Sequence, residues 1–284
     1  MAKITENAIR RITSLPEFPL PPIWATRYPV VLMHGFGMLA GIRRGGHLST
    51  AAAFLRQRGV RAYSPNVTPY HTVEARSTMW KARIEHVLEE CKTDRVNLIA
   101  HSMGGLDARY LISVMGLHTV VNSLVTLSSP HRGSYLATYL QSQPERLTTI
   151  VTEFANWLGS NALVEGNSDF ETAVRQLTPD FVIHQFNPAV LDHPSVKYWS
   201  LAGQAGKGPA TPINPVLRVF NSVLYEMEGN NDGMVSVESA KWGEFLGTVE
   251  ADHMQQVGLS FMAGKFSAND IFSRIAALLV EYDF

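Results

Sequence analysis

Ser102, flanked by small residues, is the first feature of this sequence that could do chemistry. It stands in Ala100-His101-Ser102-Met103-Gly104-Gly105, after the apolar run Val96-Asn97-Leu98-Ile99-Ala100 and before a helix pattern over 106–115. A nucleophilic serine on a strand-to-helix turn takes a strained backbone angle. Its neighbours two positions away must be small, or their side chains collide where the helix leaves the strand. Ala100 and Gly104 meet that need, with Ala where Gly is more usual. The helix N-terminus behind Ser102 would add partial positive charge and free N–H groups. The competing reading is a serine that only caps an ordinary helix.

Acyl transfer through a serine also needs two N–H donors aimed at the developing oxyanion. One is expected from Met103, the residue after the serine. The other is expected from Phe36 in His34-Gly35-Phe36-Gly37, directly after the run Val30-Val31-Leu32-Met33. The segment 35–40 also fits the dinucleotide pattern G-x-G-x-x-A. Ser64-Pro65-Asn66 offers no acid to hold a ribose, however, and Gly41, Gly45 and Gly46 interrupt any immediate helix. A base and an acid complete the set, and in such sites they follow the serine as acid, then histidine. His118, His131, His184, His193 and His253 lie downstream, and only His253 follows a late acid in a turn, Asn230-Asn231-Asp232-Gly233. Asp232 is expected to orient the imidazole and His253 to take the proton from Ser102. Asp252, Glu250 and Glu228 are rivals for the acid. The bland readings are a turn aspartate and a surface histidine.

The elements that must position these groups alternate. Strands are expected at 30–33, 61–67, 96–100, 123–127, 196–201 and 247–249. Helices are expected at 50–58, stopped by Gly59, at 74–92 with Ile84, Val87, Leu88 and Cys91 on one stripe, at 106–115, and at 271–281 capped by Asn269. Apolar strands without alternation between helices of this length indicate βαβ units and an open, mostly parallel sheet flanked by helices. The chain reads as one α/β domain over 1–284, with 134–195 a helical insertion inside it.

Composition narrows the function. Of 284 residues 45% are hydrophobic and 17% charged, enough for a sizeable core, and the formal net charge of −1 gives no basic field to hold nucleic acid. The single cysteine forbids an internal disulfide and cannot build a cysteine-based zinc site. No apolar run is long enough for a transmembrane helix, and 1–11 never opens into the apolar stretch of a signal peptide. The expectation is a cytoplasmic chain or one exported by a signal-less route.

The sequence resembles the α/β-hydrolase lipases of the Pseudomonas–Burkholderia–Proteus kind. The resemblance rests on Tyr28–Phe36, Val96–Gly105, Ser129-Pro130-His131-Arg132-Gly133-Ser134 and Asn231-Asp232-Gly233-Met234-Val235-Ser236, with His253 in a looser segment. It implies hydrolysis of triacylglycerol or related esters, and supporting roles for His34, Gly35, His101 and Arg76. It implies no required cofactor. Relatives hold a structural calcium through an aspartate two residues after the histidine. That position is Gln255 here, and no clear second aspartate follows Leu201-Ala202-Gly203, so no metal ligand is assigned.

Ser142-Gln143-Pro144-Glu145 has capping-box form, and Leu147, Ile150, Val151, Phe154, Trp157 and Leu158 recur after it at helical spacing. This stripe is read either as a core helix or as a lid over an acyl cleft, one that opens at an oil–water or membrane interface. The expected partners are therefore a lipid or other ester substrate and, transiently, such an interface. The alternatives are a carboxylesterase, a phospholipase A1, an acyltransferase, or a hydrolase-fold binding protein without catalysis.

Overall fold

Strands β1 (Val30–Met33), β2 (Ala62–Tyr63), β3 (Val96–His101), β4 (Val121–Leu127), β5 (Lys197–Gly203) and β6 (Glu244–Val249) form one sheet in the order β2-β1-β3-β4-β5-β6. Every neighbouring pair is parallel. The computed structural model describes residues 22–36, 48–142, 169–259 and 266–284. The expected helix at 147–158, and with it the lid reading, lies outside the described residues.

The central strands are apolar on both sides because both sides are covered. Along β1, side chains alternate: Val30 and Leu32 join the core under α1 (Ser49–Gln57) and the closing helix α10 (Ala268–Glu281), while Val31 and Met33 join the core under α2 (Val73–Cys91) and α3 (Gly104–Ser113). Each large side chain removed from water here stabilises the fold by about 1.5–3 kcal/mol. On α2, Ile84 and Val87 are buried in the second core, and Leu88 and Cys91 pack against it half-buried. Gly59 follows α1 with φ +91°, the left-handed angle expected of a helix-ending glycine.

Several expected boundaries shift by a few residues, and two differences have a visible local cause. The strand expected at 61–67 pairs only over Ala62–Tyr63, because the chain turns off at Ser64-Pro65 and the Val67 N–H goes to the His34 ring instead of a neighbouring strand. Asn269 does not cap the closing helix. It lies inside α10, exposed, and the cap position is Ser267.

Within the expected insertion, α4 (Tyr135–Gln141) and α5 (Phe170–Arg175) precede a helical stretch. That stretch runs from α6 (Pro179–Phe181) through a π turn (Val182–Phe186) into α7 (Asn187–Ala189). After β5 come α8 (Arg218–Glu228) and α9 (Val237–Ala240). The strand order reverses between β1 and β3, and a crevice opens at the C-terminal ends of strands at such a switch point. Phe36 follows β1 there, and Ser102 follows β3.

Candidate active site

Ser102 follows β3 and begins the turn into α3 with φ +57°, a left-handed angle that a non-glycine residue holds only under constraint. Its N–H donates to Leu127 O at 2.9 Å, which pins the turn to β4. The neighbours are as crowded as the sequence required. A Cβ on Gly104 would lie 2.8 Å from Met33 O, and one on Gly35 would lie 2.5 Å from Ser102 Cβ and 2.8 Å from Met103 N. The His34–Phe36 segment therefore packs directly on the serine turn. Met103 occupies the N-cap of α3, where a backbone N–H has no acceptor within the helix.

A buried ion pair holds the segment around Gly35. Arg76, on α2, donates from Nε to Asp107 Oδ2 at 2.9 Å and from Nη2 to His34 O at 2.7 Å, and its Nη1 donates to Thr68 O at 2.7 Å. Trp80 Nε1 also donates to Asp107 Oδ2, at 3.1 Å. Burial pushes the Asp107 carboxyl up to about 6, against the lowering pull of Arg76 and of the Trp80 hydrogen bond. His34 accepts the Val67 N–H at Nε2, which leaves its proton on Nδ1, where it donates to Gly35 O at 3.0 Å. The implied supporting residues His34, Gly35 and Arg76 thus lie in one assembly behind Phe36.

On the other side of Ser102, His253 Nδ1 donates to Asp232 Oδ2 at 2.7 Å. Asp232 is wholly buried, and its Oδ1 accepts the N–H groups of Met234 at 3.0 Å and Val235 at 2.8 Å. Burial alone would raise this carboxyl. The charge and hydrogen bond of His253 and the two backbone donors outweigh it and hold the group below the usual carboxylate value. His101 donates from Nε2 to His253 O at 3.0 Å, and the two rings lie 4.4 Å apart between centroids. His253 is thereby tied to the residue before the serine. No hydrogen bond joins the Ser102 hydroxyl to the His253 ring in this state. Such contacts commonly close only with substrate in place.

The rivals lie elsewhere. Glu228 accepts the Tyr135 N–H at 2.8 Å, Glu250 is exposed, and the Asp252 carboxylate is taken up by Asn214, Met254 and Gln255. His118 and His193 stack at 3.8 Å before the starts of β4 and β5, at the end of the sheet opposite Ser102. His184 is exposed on the π turn. His131 is buried, and burial together with Arg109 and Arg132 holds its ring well below the ordinary histidine value.

Ser102 opens onto a small apolar pocket of about 60 Å³, lined by Phe36, Leu136, Leu140, Val174, Leu177 and Met234 among others. Motif reading did not find Leu136, Leu140, Val174 and Leu177. They come from α4 and from α5 and its exit, and a signal existed only in their helical spacing.

The calcium implied by the resemblance does not fit. Asp252 Oδ1 accepts the N–H groups of Met254 and Gln255, its Oδ2 accepts both Asn214 N and Nδ2, and Gln255 Oε1 accepts Asp252 N. These oxygens are spoken for by N–H donors. Among the described residues no group of three His, Cys, Asp or Glu side chains could hold a metal ion. Nor is any described helix long and apolar enough to cross a membrane.

Comparison with known proteins fits this geometry. A family model described as palmitoyl protein thioesterase matches residues 29–177. Triacylglycerol lipase 2 of Saccharomyces cerevisiae is 30% identical over 215 residues, covering 72% of this chain and 60% of its own, so this chain spans only three fifths of that relative. A triacylglycerol lipase of Pseudomonas fragi is 27% identical over 264 residues, covering 82% of this chain and 88% of its own. The fold is that of the mature lipase of Bacillus licheniformis, with a TM-score of 0.65 at 24% identity over 93% of this chain and 96% of the other. That places the chain among α/β-hydrolase folds.

Proposed function

This chain belongs to the palmitoyl protein thioesterase family, and from that premise we propose that it is a serine hydrolase. Its substrates are carboxylic esters of lipids, triacylglycerol among them, and it works through an acyl-enzyme on Ser102. The observation that carries the reading is the strained Ser102 turn opening onto an apolar pocket, with the His253–Asp232 pair beside it.

In the proposed sequence, His253 takes the hydroxyl proton as Ser102 attacks the ester carbonyl. The Met103 and Phe36 N–H groups receive the oxyanion. His253 then gives its proton to the leaving alcohol, and the acyl chain rests in the pocket. Water, deprotonated by His253, releases the acid. Asp232 holds the imidazole and stabilises its cation. No step calls for a cofactor. The substrate is met at an oil–water or membrane surface. Cleavage of a thioester or of a phospholipid acyl ester uses the same steps, and an alcohol in place of water makes the reaction an acyl transfer.

The test is hydrolysis of p-nitrophenyl esters from C4 to C18, wild type beside Ser102→Ala. The expected result is activity peaking at C8 or longer, with the variant slower by roughly 10⁴–10⁶-fold. A peak at C4 makes the enzyme a short-chain esterase. Equal rates in both proteins end the serine reading and leave a binding role.

A further inference from the structure

Gln256 lies three residues after His253 and is completely buried, although neither motif nor spacing singles it out. Its Nε2 donates to Asp232 Oδ2 at 2.9 Å, the same oxygen that accepts His253 Nδ1. The same Nε2 also donates to Asp252 O at 3.3 Å, the carbonyl of the peptide that leads into His253. One amide nitrogen thus ties the carboxylate to the backbone of the histidine.

The orientation of that amide follows from its neighbours. Both partners on the nitrogen side are acceptors only, so a flipped amide would set oxygen against a carboxylate and a carbonyl. On the other side, Oε1 accepts the Ser128 hydroxyl at 2.9 Å. Ser128 Oγ in turn accepts the Gly203 N–H at 2.9 Å, which leaves its own proton free to point at Gln256. Ser128 is held with φ +44° at the end of β4, its N–H on Leu201 O. A directional chain therefore runs from the Gly203 N–H at the end of β5, through Ser128 and Gln256, to Asp232. Chains of this kind strengthen each member. Gly203 is part of the device, because a Cβ there would overlap the Gln256 amide.

We infer that Gln256 is a positioning residue that fixes the Asp232 carboxylate against His253, and that the Gly203–Ser128 chain fixes which way its amide faces. The inference rests on the serine-hydrolase reading above. With Gln256 in place the carboxylate has four donors, two on each oxygen, and cannot rotate away from the imidazole without losing one.

The experiment begins by labelling the wild-type protein with a fluorophosphonate probe and measuring hydrolysis of a p-nitrophenyl ester. If Ser102 is not labelled and no ester is cleaved, the serine-hydrolase reading fails, and the inference with it. With a labelled, active wild type, Gln256→Leu is expected to lower kcat by roughly 10- to 100-fold with KM unchanged, the scale of a lost hydrogen bond to a charged group. Gln256→Glu carries the sharper readout. Protonated, it donates to Asp232 as the amide does; ionised, it repels it. Its activity is therefore expected to fall on the alkaline side of neutrality, where the wild type holds a plateau. Ser128→Ala serves where the Gln256 variants do not fold, with a smaller loss of kcat at unchanged KM. Wild-type kcat and a wild-type pH profile in folded variants would overturn the inference while leaving the hydrolase intact.

Discussion

The two sides of Ser102 are held in place by opposite electrostatic means. Behind the His34–Phe36 segment stands a full ion pair, Arg76 on Asp107, both side chains with no exposure at all. Around Asp232 the bracing groups are neutral: two backbone N–H groups and the Gln256 amide. The difference follows from what each side must do. The segment at Gly35 has only to stay still, so a guanidinium can spend its donors on carbonyl oxygens. Asp232 must keep its charge for one partner, and a fixed cation beside it would drain the attraction that His253⁺ needs. Neutral dipoles fix its position and leave that charge available.

The comparison breaks hardest at Asp232. Asp232→Asn keeps the shape but removes the charge, and kcat is expected to fall by about 10⁴-fold in steady-state hydrolysis, with the fold retained. Next comes the ion pair. Arg76→Met leaves the buried Asp107 without a counter-charge, held only by the Trp80 N–H, and should destabilise the protein by about 3–5 kcal/mol in denaturant unfolding. The double variant Arg76→Met/Asp107→Leu should recover part of that loss. If single and double are equally unstable, the pair is not the brace. A smaller effect is expected beside the acid–base loop, where Asn214→Ala strips one donor from Asp252 and should cost about 1–3 kcal/mol by the same measurement.

pH sharpens the contrast. Asp232 titrates below its ordinary value in the folded protein, so its contribution is fully present above the unfolded value of ~3.9 and is lost as pH falls through the lower folded one. The stability gap between wild type and Asp232→Asn should accordingly close as pH falls below ~3.9. A gap that persisted in strong acid would contradict the lowered carboxyl. The smallest effect belongs to Asn269→Ala, which should change stability by less than ~0.5 kcal/mol, since Asn269 caps nothing and faces solvent.

Much of the fold and of the candidate site could be read from local pattern alone. β3, the Ser102 turn and α3 are contiguous, and their steric demands fall on neighbours two residues apart. Asp232 and His253 were legible because chain order and turn chemistry limited the candidates. Arg76 came from resemblance, but its partner Asp107 lies 31 residues on and carries no spacing signal. Gln256 escaped for a similar reason. Its value lies in meeting Ser128, 128 residues away, and no periodicity records that. The end of β2 was misjudged because Val67 is apolar enough for a strand, while the fold uses its N–H to hold the His34 ring. There a tertiary hydrogen bond outweighed local propensity.

The closing helix also matters while the protein is being made. Ile271, Phe272, Ile275 and Leu279 of α10 cover the same sheet face as Ala51, Ala52 and Leu55 of the much earlier α1. A chain emerging from the ribosome therefore carries Val30, Leu32 and Trp199 half-roofed until the α10 segment arrives. Ser102, Asp232 and His253 have all been synthesised by then, so the residues of the candidate site exist before the layer that covers this face. During that interval the growing chain presents an apolar face to the cell, and chaperones that recognise such faces should bind it most strongly once β5 has emerged and α10 has not.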